Sequence, residues 1–146
     1  STIFKVAAFA AALFAAFNLS GATFEGQPDI FPDYKDVTIP PNIAPLNFRV
    51  NNAKDAVVTF ETAGNSLKIK GRGENGADIR FRIRKWRRLL DAARGGEITV
   101  KVTAVADGRI GDFEPFSIKV SEEPIDKFLA YRLIDPGYET WNNMGI

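Results

Sequence analysis

The chain of 146 residues contains no cysteine and no histidine. Without cysteine there is no disulfide, no thiolate metal site and no cysteine nucleophile. Without histidine the commonest general base and the commonest metal ligand are both missing. Serine–histidine triads and haem attachment through cysteine or histidine are thereby excluded within these residues, and zinc sites lose their commonest ligands. Charge of one sign is also lacking. Nineteen Lys and Arg against eighteen Asp and Glu leave a formal net charge of +1, so no global field recruits nucleic acid or anionic lipid. What the chain does have is phenylalanine, twelve of them, a composition suited to a sheet core. The length suffices for one domain with a real core.

The first uncharged run is Val6–Phe24, which follows Lys5 and opens with twelve wholly apolar residues, Val6–Phe17. A cation followed by such a run is the pattern of a secretory signal. The 19 residues also just reach the span of a bilayer. Phe9, Leu13 and Phe17 fall on one helical stripe, and Ala8, Ala12 and Ala16 form a small-residue row that admits a second helix. The run ends Leu19-Ser20-Gly21-Ala22, a bacterial lipobox with alanine where the lipidated cysteine belongs. A cleavable signal, a retained membrane helix and an altered residue at position 22 all fit. Without the thiol the diacylglycerol anchor has no attachment point.

Residues 1–24 are therefore expected as a signal-like or membrane-anchoring helix, and 25–45 as an extended linker rich in proline. Pro40, Pro41 and Pro45 fix φ and push their predecessors into extended backbone. Phe24, Ile30, Phe31 and Tyr34 punctuate this linker. A solvated tether needs no aromatic residues, so the segment is expected to lie against something.

From Leu46 the pattern alternates with period two. Strands are expected at Leu46–Val50, Ala56–Thr62, Ser66–Lys70, Asp78–Ile83, Glu97–Val105 and Pro115–Ser121. Gly64-Asn65, Asn75-Gly76 and Asp107-Gly108 mark turns. Trp86, Leu89, Leu90 and Ala93 follow helical spacing, which predicts a short amphipathic helix over Lys85–Ala93 ended by Gly95-Gly96. Short strands with frequent turns and no βαβ rhythm point to a mainly β, antiparallel, immunoglobulin-like sandwich over 46–121, with one crossover helix. In the tail, 122–146, Pro124 is expected to open a helix with Ile125, Phe128, Leu129 and Leu133, stopped by Asp135-Pro136-Gly137.

Three segments, DYKDVTIPPNIAPLNFRV (33–50), RKWRRLL (84–90) and EEPIDKFLAYRLIDPGYETWNNMGI (122–146), together resemble the N-terminal region of TolB-like β-propeller proteins of Gram-negative cell envelopes. Those proteins are often labelled cytochrome c biosynthesis proteins. The likeness runs from about residue 31 to Ile146. The proline-rich stretch and the YRLI-PGYE segment are specific, while the strands between are generic. The resemblance implies an exported, lipoprotein-like envelope domain that sits beside a propeller. The family's haem motifs and propeller repeats lie beyond the segment matched here, so neither is carried onto any residue of this chain.

Candidate sites follow. Arg80, Arg82, Arg84, Lys85, Arg87, Arg88 and Arg94 face only Asp78 and Asp91. Such a cluster is either the solvated outside of a strand and a helix or a seat for an anionic glycolipid. No stacking aromatics interleave with the arginines on the strand face, so nucleic acid is not an expected partner. Asp33 with Asp36, and Glu122 with Glu123, are carboxylate pairs without a scaffold to fix their spacing. The turns at Asn75-Gly76 and Asp107-Gly108 lack the repeating oxygen ligands of a calcium loop. Tyr131, Tyr138 and Trp141, with Phe31 and Tyr34, are the expected protein-contact residues, since Tyr and Trp concentrate at interface hot spots. The expectation is a non-catalytic, cofactor-free accessory subunit of a periplasm-facing, membrane-associated assembly, beside a propeller or haem protein. A carbohydrate or anionic-glycolipid module using the arginine face is the alternative.

Overall fold

The computed structural model describes residues 22–126 and Phe128. Nine strands and one helix are found there: β1 (Ile30–Phe31), β2 (Thr38–Ile39), β3 (Phe48–Val50), β4 (Asp55–Thr62), β5 (Asn65–Arg72), β6 (Ala77–Ile79), α1 (Ile83–Ala93), β7 (Glu97–Ala106), β8 (Arg109–Asp112) and β9 (Phe116–Val120). The expectation of a mainly β, antiparallel-rich fold holds. The strands join in one hydrogen-bonded sheet of order β1-β3-β6-β5-β4-β7-β9-β2, with β8 paired to β7. The β2–β9 pair is parallel and the other strand pairs are antiparallel. Between β6 and β7 the chain crosses over by way of α1.

That sheet cannot be flat. Its two end strands, β1 and β2, are consecutive in the chain. Laid flat, the strands would hold them about 34 Å apart, whereas the chain from Phe31 to Thr38 reaches at most about 24 Å. The sheet must curl, and its inner face becomes the core. Phe60 opposes Val100 and Leu67, Val58 opposes Val102 and Ile69, and Ile98 opposes Ile118. The alternation read from the sequence therefore places the right side chains inward on β4, β5, β7 and β9. The helix buries Trp86, Leu89, Leu90 and Ala93, the four residues whose spacing predicted it. The Trp86 indole donates to the Ile43 carbonyl (3.0 Å). Phe81 lies between Phe60 and Trp86, with ring centroids 4.8 and 4.5 Å apart. Every buried member of this core is apolar.

Several local expectations are corrected. The linker is not simply extended: it supplies β1 and β2, with Ile30 and Ile39 buried. A turn joins the Pro40 carbonyl to the Ile43 N–H, with Pro41 at the position where a fixed φ suits a turn. The first β-rich run pairs only over Phe48–Val50, because the Asn47 side chain accepts instead from the Phe81 N–H (2.9 Å). The fourth expected strand ends at Ile79, not Ile83. Chain 80–82 leaves the ladder, and Ile83, expected inward, begins the helix nearly half exposed.

Gly71, one residue past the expected strand Ser66–Lys70, is buried inside β5, where a Cβ would stand 2.5 Å from the Asp78 carbonyl oxygen. Only glycine permits that approach of β5 to β6. β8 was not anticipated. In the tail, Pro124–Asp126 and Phe128 are not helical. The remainder of the expected tail helix, and the whole 1–21 segment with Phe9, Leu13 and Phe17, lie outside the described residues. Among the described residues no helix is long and apolar enough to cross a membrane.

Trp86→Ala removes a fully buried ring and the hydrogen bond that ties α1 to Ile43. It is expected to lower unfolding stability by about 3–5 kcal/mol in chemical denaturation, whereas Ile83→Ala should change it by less than about 1 kcal/mol.

Candidate functional site

The arginine cluster is divided by the fold. Arg80 and Arg82 stand on the segment that leaves the sheet, where β5 and the chain after β6 separate. Arg84, Arg87 and Arg88 lie on the helix and are exposed. At 100° per residue, Arg84 and Arg88 point away from the buried stripe Trp86–Leu90–Ala93. They do not reach the groove that Arg80 and Arg82 form. The expected strand Asp78–Ile83 would put Arg80, Arg82 and Arg84 on one face. That face is broken because the ladder ends at Ile79 and the helical pitch of 3.6 residues begins at Ile83.

The groove itself measures about 260 Å³ and is lined by Leu67, Lys68, Ile69, Lys70, Arg80, Arg82 and Lys85. Five of the seven lining residues are cations and none is acidic. Lys68 and Lys70 come from β5 and were not singled out in the sequence. Their outward position was legible from the alternation, but their nearness to Arg80 was not. The helix beside the groove begins without an acidic residue in its first turn and without a side-chain cap, so its positive end is not neutralised locally.

Arg80 also lines a neighbouring hollow of about 250 Å³ with Phe31, Asn47, Phe48, Arg49, Asp78 and Ile79. Arg49 and Asp78, opposite each other on β3 and β6, form an ion pair at 2.8 Å. The hydrogen bond from Arg49 holds the Asp78 carboxyl below the usual carboxylate range. Partial burial opposes this, and the charges of Arg49 and Arg80 add to it. Arg80 approaches the second Asp78 oxygen only to 3.8 Å. Elsewhere on the sheet, Arg72 pairs with Asp55 (2.7 Å) and Lys101 with Glu61 (2.6 Å). The bond to Asp55 raises the Arg72 pKa further. These are cross-strand pairs that support register.

A larger cleft, about 670 Å³, opens among the turns at Asn52–Lys54, Glu74–Gly76 and Asp107–Gly108. Its lining mixes Lys54 with Glu74 and Asp107. Among the described residues no three Asp or Glu side chains gather as a cation site. Of the carboxylate pairs, Asp33 holds Lys35 (3.5 Å) while Asp36 is exposed with φ 56°. Glu122 and Glu123 are both exposed.

The expected contact residues fall apart in the same way. Phe31 is 70% exposed, whereas Tyr34 is partly buried against the core. Tyr131, Tyr138 and Trp141 lie outside the described residues. Sequence reasoning passed over Asn42 and took Ile125 only as a position in the expected tail helix. The Asn42 side chain donates to the Ile125 carbonyl (2.8 Å) and accepts from the Ile125 N–H (3.0 Å). This two-way bond ties the tail to the segment after β2, next to the Ser121 N–H bond to the Ile39 carbonyl (2.9 Å). Ile125 and Phe128 remain 56% and 91% exposed.

No family model, no curated protein and no solved structure matches the chain.

Because the folded pKa of Asp78 is lowered, the Arg49–Asp78 contribution to stability is full above about pH 4. It is lost as pH falls through the lowered value. Arg49→Gln should move the Asp78 carboxyl titration upward in an NMR pH series and shrink that acid-range loss. An unmoved Asp78 titration would mean that Arg49 is not its dominant partner.

Proposed function

We propose that this chain is a non-catalytic docking domain of a membrane-associated assembly in the cell envelope, facing the periplasm. The observation that carries the reading is the Asn42–Ile125 clasp. It brings the proline-rich segment and the start of the tail together, the two segments that the sequence marks for partner contact. It also leaves Ile125 and Phe128 open to solvent. Large exposed apolar side chains beside an ordered backbone are what an interface requires. Phe31 adds a third exposed apolar group on the 25–45 segment.

Location and company rest on the sequence. The apolar run Val6–Phe17 supports export or membrane anchoring, and the likeness of residues 33–50, 84–90 and 122–146 to TolB-like envelope proteins supports a propeller or haem protein as neighbour. The antiparallel pairing of the curled sheet supports reading it as a variant of the immunoglobulin-like sandwich.

The test uses gentle detergent extraction followed by native mass and visible absorbance. The native chain is expected to travel with larger subunits. Phe31→Ser/Ile125→Ser/Phe128→Ser, and separately deletion of 135–146, should each release a folded monomer, near 16.1 kDa for the first and correspondingly lighter for the second. Comigration of both variants unchanged would remove the docking reading.

A further inference from the structure

The groove between β5 and the chain that leaves β6 has a chemistry that docking through Phe31, Ile125 and Phe128 does not use. We infer that it is a binding site for a phosphate-bearing headgroup, seated by Lys68, Lys70, Arg80, Arg82 and Lys85. The argument starts from where these cations come from. Three chain segments supply them: an edge of β5, the irregular stretch 80–82, and the first turn of α1. A solvated strand face would spread its charges along one element. Here five cations from three segments converge on one hollow with no carboxylate in its lining.

Among the described residues Lys68, Arg82 and Lys85 make no ion pair, and Arg80 has only the long 3.8 Å approach to Asp78, whose carboxylate is already held by Arg49. The chain is nearly neutral overall, so the concentration of charge is local. Like charges lining one hollow repel, and an anion seated among them would relieve that repulsion.

The class of ligand follows from size and lining. About 260 Å³ lies just below the range of pockets that enclose a whole drug-sized ligand. The groove therefore takes a headgroup and leaves the rest of the ligand outside. Arginine forks match phosphate oxygens in pairs, and lysines add point charges. The half-buried Leu67 and Ile69 supply an apolar wall for the sugar or glycerol that carries the phosphate. Two sources present this chemistry, a soluble sugar phosphate and the headgroup of a membrane lipid.

The experiment titrates the full chain with a hexose phosphate by calorimetry. In parallel it measures cosedimentation with phosphatidylcholine vesicles that do or do not contain phosphatidic acid. Arg82→Gln/Lys85→Gln is compared with Arg87→Gln/Arg88→Gln, which removes the same charge from exposed helix positions away from the groove. Melting curves check that both variants remain folded. The first pair should weaken binding about tenfold or more, the loss of at least one charge-assisted hydrogen bond, and the second less than about twofold. Binding of the hexose phosphate with that pattern establishes a soluble ligand as sufficient. Binding only to the phosphatidic acid vesicles, with the same pattern, assigns the site to lipid. Equal losses in the two variants would reduce the effect to a diffuse surface field and overturn the site. So would failure of the native chain to bind either probe.

Discussion

The short connection from Phe31 to Thr38 governs the rest of the structure. It ties the first and last strands of the sheet path together through fewer residues than a flat sheet would need. The curl that results converts one alternating face into an enclosed core. Everything buried depends on that closure, since a flat sheet of this width would leave Phe48, Phe60, Val100 and Phe116 covered on one side only. Trp86 completes the enclosure. Its ring meets Phe81, and its N–H reaches the Ile43 carbonyl on the proline-rich segment. The helix thereby holds the chain just after β2, the strand that the short connection delivers.

The closure also makes the surface features. Where β5 hugs β6, Gly71 lets the Asp78 backbone come close, and just beyond that contact the strands part. Asn47 takes the Phe81 N–H, which draws the chain off the ladder and toward the helix. The groove of Lys68, Lys70, Arg80, Arg82 and Lys85 is the gap this parting leaves. At the other end of the path, β2 pairs parallel with β9 and hands the chain to the Asn42–Ile125 clasp. The basic groove and the Asn42–Ile125 clasp are both by-products of how the sheet ends are treated. Both lie where regular pairing stops and side chains or unpaired backbone must take over.

Much of the inner face was legible in advance. Ile98, Val100 and Val102 alternate with Thr99, Lys101 and Thr103, and only one register keeps the apolar set inside. The helix was legible because Trp86, Leu89, Leu90 and Ala93 carry its period in a few residues. The two-residue strands β1 and β2 were not, because two residues carry no period and prolines around them read as linker. β8 was hidden for a related reason: Gly111 and Asp112 interrupt any apolar alternation, and the strand exists by pairing with β7. At the site, the arginines were visible as a cluster, but their division was not. Arg80 and Arg82 separate from Arg84, Arg87 and Arg88 because the ladder ends at Ile79 and the helix begins only at Ile83.

By itself, the sequence determined the absence of thiol and imidazole chemistry, the inward and outward sides of the long strands, the turns at Asn75-Gly76 and Asp107-Gly108, and the buried stripe of the helix. These are local properties, set by side-chain type and by periods of two and 3.6 residues. The tertiary structure decided that the proline-rich segment belongs to the sheet, that the sheet curls, and that Lys68 and Lys70 stand beside Arg80. It also decided that Asn42 holds Ile125, more than eighty residues away along the chain. Those are non-local facts. They depend on which strand ends meet, and that is settled by chain length and closure, which no local pattern encodes.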